Sequence, residues 1–351
     1  LCLCTLHLKP LHRQNHNTMK KYILLLFTAF TLFSCEYLLL EDDPANDPVA
    51  NFDALWQNID EGYSFFEFKQ INWDSMYNIH RPKVNNNTRT LELFDIMSDM
   101  LFTLRDGHVN LSAGFNRSRN WEWFLGFPPN FDKNIIERNY WQAQEWYTGP
   151  FVHTVIDSTI GYVRYASFGN RFSESQLDFL IARFQNAKGI ILDLRDNGGG
   201  FGNLVPLLAS RFADERRLAY TFVVKNGPGH NDFTDPVEVY VEPEGERQFT
   251  KPVIILTNRM CYSATTFFVA VMKNFPHVRV IGDWTGGGGG TPASKELPNG
   301  WIVRYSATQT FLPDGFNIED GIPPDIRVDM READRLQGKD TILERAIATL
   351  R

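Results

Sequence analysis

The chain has 351 residues, 43% of them hydrophobic, enough for two modest domains or one large α/β domain with an appendage, which excludes a small stapled scaffold. Its 35 Lys and Arg against 42 Asp and Glu give a formal charge of −7, an acidic balance that speaks against nucleic acid as a partner. Of the four cysteines only Cys261 lies beyond residue 35, so no intramolecular disulfide is expected in the folded part.

In chain order, residues 1–18 precede Met19, which stands where an initiator belongs, and are read as an over-extended leader. From Met19 onward, two lysines, an apolar run too brief for a membrane span, and Leu32-Phe33-Ser34-Cys35 form a secretory signal over 19–35. The tetrapeptide ending at Cys35 resembles a bacterial lipobox and predicts lipidation of that cysteine; an ordinary signal peptide is the alternative. Residues 1–34 hold four basic and no acidic side chains, so their removal takes the formal −7 to −11. Residues 36–50, acidic and proline-bearing, suit a tether.

Apolar residues at three- and four-residue spacing over 51–79 and 90–105 predict an N-terminal helical domain spanning 51–112. Residues 113–158, with Trp121, Trp123, Trp141 and Trp146, are irregular and are read as an aromatic insert or lid over a cleft. From 159 to 351, β-rich runs ("IGYVRYASF", "GIILDLR", "PVIILTN", "RVIGD") alternate with helical ones ("SESQLDFLIARFQNA", "LVPLLASRFA", "SATTFFVAVMKNF"). That alternation predicts right-handed βαβ crossovers and a largely parallel sheet.

Ser263 stands where a buried strand ends and a helix begins. It is either a helix cap or a nucleophile whose oxyanion the free amides of the first helical turn would stabilise. "DLRDNGGGFG", from Asp193 to Gly202, follows another buried strand; three glycines in a row leave backbone N–H groups uncovered, as an anion- or substrate-clamping loop requires. A serine needs a base, and of the histidines beyond the leader only His108, in "LRDGHVNL", lies at a helix end beside a glycine and acids. Glu319 and Asp320 sit in the turn-rich "DGFNIEDGIPPD", which by itself reads as a solvated loop. No metal-ligand spacing is present, and the chemistry calls for no cofactor.

With "VIGDWTGGGGG" and "EDGIPPD" added, these motifs fall in an order that resembles the tail-specific, or C-terminal processing, serine peptidases, from about residue 90 to about residue 330. The resemblance implies an α/β fold with a crotonase-like (ClpP-like) βαβ core over 159–351 behind the helical domain, and a polypeptide substrate. It implies Ser263 as nucleophile, with the amides of Ala264 and of Gly199 or Gly200 as oxyanion hole. The lysine base of the best-known bacterial branch is absent, since Gly288 stands at its position. The tricorn-like branch implies instead His108 as base and Glu319 as its acidic support. Its serine before the histidine is here Gly107, so Glu319 acting directly, Glu319 acting through water, and Asp106 acting in its place are three alternatives. Residues 113–158 are too few for a PDZ domain. Two rivals are an inactive peptide- or lipid-binding protein on the same fold and a hydrolase using Lys295 as base. With the lipobox, the chain is expected in the bacterial cell envelope, lipid-anchored and facing the periplasm or the outside.

Overall fold

The computed structural model describes residues 45–141 and 145–351; the leader, the signal segment with Cys35 and most of the tether lie outside these. The helical start is α1 (Pro48–Gly62), α2 (Trp73–His80) and α3 (Thr90–Phe102). Asp47 caps α1 by accepting from the Ala50 amide at 2.9 Å, and Pro48 opens the helix where its missing N–H costs nothing. A short β1 (Asn110–Ser112) follows, then α4 (Glu122–Leu125), α5 (Lys133–Asn139), β2 (Trp146–Thr148), β3 (Phe151–Ile156) and β4 (Ile160–Tyr165). Next come α6 (Glu174–Phe184), β5 (Gly189–Asp193), α7 (Leu204–Ala209), β6 (Arg217–Val224), β7 (Val237–Val241), β8 (Val253–Thr257), α8 (Ala264–Met272) and β9 (Val278–Gly282). The chain ends with β10 (Pro292–Glu296), β11 (Ile302–Ser306), β12 (Thr308–Phe311), β13 (Ile326–Arg327), α9 (Glu332–Leu336) and α10 (Thr341–Leu350).

Seven strands form the main sheet in the order β13-β9-β8-β5-β4-β3-β2, parallel from β13 to β4 and antiparallel at β3 and β2. Its central strands are apolar on both faces because helices cover both. Ile190, Leu192, Val253 and Ile255 pack with α6, α7 and α8, while the alternate Ile191, Ile254 and Leu256 pack with α5 and α10. Two three-stranded antiparallel sheets, β1-β11-β10 and β12-β6-β7, flank it.

The βαβ core thus has the expected architecture, and two boundaries differ. Residues 146–156, expected in the insert, supply β2 and β3 of the main sheet; "FVHTVI" is rich in β-branched residues, as strands are, but lacks the apolar–polar alternation that would mark it in the sequence. The helical region does not close a core of its own: Phe52, Leu55 and Met97 share one cluster with Val303 and Tyr305 of β11, and the chain from Asn46 to Arg351 is one compact unit. The run "WIVRYSATQTFL" reads in the sequence as one strand, but it breaks at Ala307 into β11 and β12 because its two halves pair in different sheets.

Arg195, fully buried just after β5, fixes the glycine loop to the rest of the fold. Its guanidinium forks onto Asp193 at 2.9 and 2.6 Å and donates to Asp340 Oδ2 at 2.8 Å, while Asp340 Oδ1 caps α10 through the Leu343 amide. Removing one member of such a buried ionic set costs about 3–5 kcal/mol, since the remaining charges stay buried. Asp340→Ala is expected to lower urea-unfolding stability by about that amount; a loss below about 1 kcal/mol would contradict the role given to this pair.

Candidate active site

β5 and β8 are parallel neighbours, so the segments after Asp193 and Thr257 leave the sheet side by side at its carboxyl edge, where ligands of open α/β sheets bind. The second segment carries Ser263 at φ +54°, ψ −122°, a conformation a non-glycine residue holds only when its surroundings impose it. They do so from two sides. Ser263 N donates to Gly287 O at 2.9 Å and Gly286 N to Cys261 O, while Tyr262 N donates to Asn197 O at 3.1 Å. Cys261 is buried beneath, its thiol donating to Leu194 O at 3.0 Å and pushed by burial up to about 12.

The Ser263 side chain makes no capping hydrogen bond to α8. Its Oγ lies 3.0 Å from His108 Nε2 instead, so the strand-to-helix serine presents its hydroxyl to an imidazole. His108 comes from the turn between α3 and β1, held by Asp106: Oδ1 accepts the His108 backbone N–H at 2.8 Å and the Tyr262 hydroxyl at 3.3 Å, and Oδ2 accepts Ser306 Oγ at 2.8 Å. Burial lowers the imidazole to about 4; Asp106 opposes this, and the positive charges of Arg304 and Lys69 add to it. Among the described residues no group satisfies His108 Nδ1 with good geometry, although the backbone of Gly290 favours its protonation. Against the cost of burial, Lys69, His108 and the hydrogen bonds from His108 N–H and Ser306 hold Asp106 below the usual carboxylate range.

The glycine loop completes the site. Gly199 and Gly200 have φ +90° and +145°, and each lies at backbone contact with its neighbours: a Cβ on Gly199 would fall 2.5 Å from Tyr262 O, and one on Gly200 2.1 Å from Gly169 N. The Gly199 amide is engaged by Asn197 Oδ1 at 3.1 Å. Among the described residues no protein group accepts from the Gly200 or Ala264 amides, so both N–H groups are open to an anion.

Glu319 is brought to the same cluster but not onto the imidazole. Its Oε1 lies 2.7 Å from Lys69 Nζ and its Oε2 accepts the Gly289 amide at 2.9 Å, one residue before Gly290. Burial pushes the Glu319 carboxyl up, to about 8, against the pull of Lys69, whereas Lys69, despite its own burial, is held charged by Glu319 and Asp106. With a cation on one oxygen and an N–H on the other, the ammonium–carboxylate pair is the form that satisfies both. Lys69 Nζ also donates to Arg105 O at 3.0 Å, beside Asp106.

Tyr262, joined by Trp123 at Gly107, accounts for both departures from the resemblance. A Cβ at Gly288 (φ +75°) would lie 2.5 Å from Tyr262 Cζ, so the ring fills the space a side chain at 288 needs. A Cβ at Gly107 would lie 2.6 Å from Trp123 Nε1 and 2.9 Å from the Tyr262 hydroxyl, which here donates to Asp106. Trp123 stacks on Tyr262, with centroids 4.2 Å apart. Lys295 lies on β10, half-exposed, 3.9 Å from Glu61. Sequence reasoning missed Tyr262, Lys69 and Ser306. Tyr262 adjoins the serine and Ser306 alternates along β11, but Lys69, in "FEFKQ", carries no signal of its burial.

A cavity of about 380 Å³ opens over Ser263 and His108, walled by Trp121, Trp123 and Phe124 of the aromatic segment. Trp141 belongs instead to the buried core under the sheet, and Trp146 to the edge strand β2. Among the described residues no cluster of His, Cys, Asp and Glu could hold a metal.

The profile of peptidase family S41 matches residues 159–328, and that of the Tricorn protease C1 domain matches residues 44–102. The carboxy-terminal processing protease CtpA of Bacillus subtilis is 28% identical over 182 residues, which are 51% of this chain and 37% of that protein. The chain spans about a third of the length of the curated relatives it matches. The crystal structure of a candidate peptidase from Parabacteroides merdae is 44% identical, with a TM-score of 0.83, covering 87% of this chain and 97% of that one. Mature CPAF, 12% identical with a TM-score of 0.66 over 87% of this chain and 97% of that one, shares the fold.

Lys69→Met would leave Glu319, whose side chain is 2% exposed, without its cation. The single substitution is expected to cost about 3–5 kcal/mol by urea unfolding, and adding Glu319→Gln to recover a substantial part, because the glutamine still accepts from Gly289 without a charge. Strictly additive losses would contradict the pairing.

Proposed function

The chain belongs to peptidase family S41, and on that premise we propose that it is a serine peptidase acting through a Ser263–His108 pair. The observation that carries this reading is the 3.0 Å approach of Ser263 Oγ to His108 Nε2, with the serine at positive φ and two amides without acceptors beside it. His108 Nε2 takes the Ser263 proton as Oγ attacks the carbonyl carbon of the substrate, and the Gly200 and Ala264 amides receive the oxyanion. The imidazolium then protonates the leaving amine. Water, deprotonated by the same nitrogen, releases the acyl group from Oγ. Each well-placed oxyanion donor is worth roughly 3 kcal/mol of transition-state stabilisation, so the fit of the glycine loop matters nearly as much as the base.

Asp106 serves as a positioning residue: it holds the His108 backbone, and its charge favours the imidazolium as it forms. Glu319 acts at one remove, through Lys69 and the Gly289 amide, and this arrangement favours Asp106 over Glu319 as the acid nearest the base. The family match and the 44% identical candidate peptidase favour hydrolysis over the inactive binding protein. The Lys295 alternative loses support because that ammonium faces Glu61.

Anchoring at Cys35 and residence in the cell envelope are part of the same proposal, resting on the sequence of 19–35; among the described residues no helix is long and apolar enough to cross a membrane. Cys35→Ser is expected to move the protein from the membrane to the soluble fraction, and unchanged membrane association would contradict lipidation at this cysteine.

Labelling by a fluorophosphonate tests the chemistry. Wild type is expected to label, Ser263→Ala to lose all labelling, and His108→Ala to slow it by about 100-fold or more. The neutral imidazole is the active form, and burial holds it neutral down to about pH 4, below its ordinary 6.5. The labelling rate is therefore expected to stay level from pH 7 to about pH 5 and to fall as pH drops through about 4; an acid limb at 6.5 or above would contradict the buried neutral base.

A further inference from the structure

A second cavity, of about 330 Å³, adjoins the one that opens over Ser263. Its lining runs from the exposed Glu122, Phe127 and Asp320 to the buried Lys69, Asp106 and Glu319, so it leads from solvent to the ionic groups around the base. The proposed reaction gives this space no task. The two cavities have three lining residues in common, Gly107, Trp123 and Tyr262, and these are the wall between them.

Two stacked rings make up most of that wall. Tyr262 is buried, its ring centroid 4.9 Å from that of the His108 imidazole, and its hydroxyl donates to Asp106 Oδ1. Trp123, half-buried, stacks on Tyr262 with centroids 4.2 Å apart and planes 24° from parallel. The backbone beside the rings is glycine wherever a side chain would displace them: a Cβ at Gly286 would fall 2.5 Å from Trp123 Cε3, as one at Gly288 would from Tyr262 Cζ. Burial, then the charges of Asp106 and Glu319, hold the Tyr262 phenol well above its ordinary 10, so the wall is uncharged over the whole range in which a histidine titrates.

The charged groups around the imidazole are Asp106 on its own turn, Lys69 between α1 and α2, and Arg304 on β11, with Glu319 paired to Lys69. Burial outweighs the attraction of Asp106 at His108, and toward the second cavity the cover is Tyr262 with Trp123 stacked on it. We infer that Tyr262 and Trp123 form a partition that keeps solvent in the second cavity away from His108 and Asp106, Tyr262 being a positioning residue for the base. The inference rests on the Ser263–His108 reading and adds to it the element that maintains the surroundings of the base. Truncating either ring joins the two cavities, and solvent that reaches the imidazolium favours it over the neutral form. The ring rather than the hydroxyl carries this role, since Tyr262→Phe keeps the cover and releases only one of the hydrogen bonds on Asp106.

The pH dependence of fluorophosphonate labelling at Ser263, in the full chain purified in detergent, tests it. The neutral imidazole is the active form, so raising its pKa moves the acid limb of the labelling rate to higher pH. Tyr262→Ala is expected to move that limb from about 4 by about one pH unit or more toward the ordinary 6.5, and Trp123→Ala by a smaller amount in the same direction. Tyr262→Phe is expected to move it by less than about half a unit. If Tyr262→Ala does not fold, Trp123→Ala, at the half-buried position, decides the question. A limb that stays in place in either folded alanine variant, or moves as far in Tyr262→Phe as in Tyr262→Ala, would overturn the inference while leaving the peptidase reading standing. Absence of labelling at Ser263 in wild type would overturn that reading, and the inference with it.

Discussion

The site depends on keeping four ionisable groups, Asp106, His108, Lys69 and Glu319, out of water together. Two carboxylates and one ammonium leave the cluster one negative charge in excess while the imidazole is neutral. Burial disfavours a second cation at rest, which is why the imidazole stays unprotonated far below its ordinary range. In the proposed reaction, in which it takes a proton from Ser263, the excess negative charge on the Asp106 side is already in place and does not reorganise. The same arrangement explains why a lysine from the helical region is tolerated beneath the site: without it, two buried carboxylates would face each other uncompensated.

Around that charge balance the backbone does the positioning. The elbow at Ser263 is pinned to the glycine loop through Asn197 and to the 286–288 segment through Gly287, so its positive φ follows from two neighbouring strands ending at one edge. Arg195 holds the glycine loop from below and ties it to the cap of the last helix, far along the chain. The candidate site therefore draws on the N-terminal helices, two sheets and the final helix at once. That is why the helical region has no separate core.

Much of this was legible in the sequence, for physical reasons. The parallel strands announce themselves as continuous apolar runs because both of their faces are covered, and the helices by period and capping: Ser173 closes a capping box with Gln176. Ser263, His108 and the glycine loop stand out because each breaks a regular element with residues that regular structure does not need. Glu319 entered as a candidate through the resemblance alone, its own stretch reading as a solvated loop, and it was not legible as the partner of Lys69, because a pairing between residues 69 and 319 leaves no mark in either local stretch. Tyr262 was passed over because its role is spatial: it fills the space of the side chain that Gly288 lacks and, with Trp123, that of the one Gly107 lacks. Strands β2 and β3 were hidden because their stretch lacks apolar–polar alternation, and β11 and β12 were merged because the pattern does not show that consecutive residues pair in different sheets.

The most direct test of the central claim, that Ser263 is a nucleophile served by a buried neutral histidine and a two-amide oxyanion hole, is the crystal structure of the protein after reaction with a fluorophosphonate. The account predicts a covalent bond to Ser263 Oγ, with one phosphoryl oxygen about 3 Å from both the Gly200 and the Ala264 amide nitrogens and His108 Nε2 still within hydrogen-bond reach. An adduct on another residue, or a phosphoryl oxygen turned away from both amides, would contradict it.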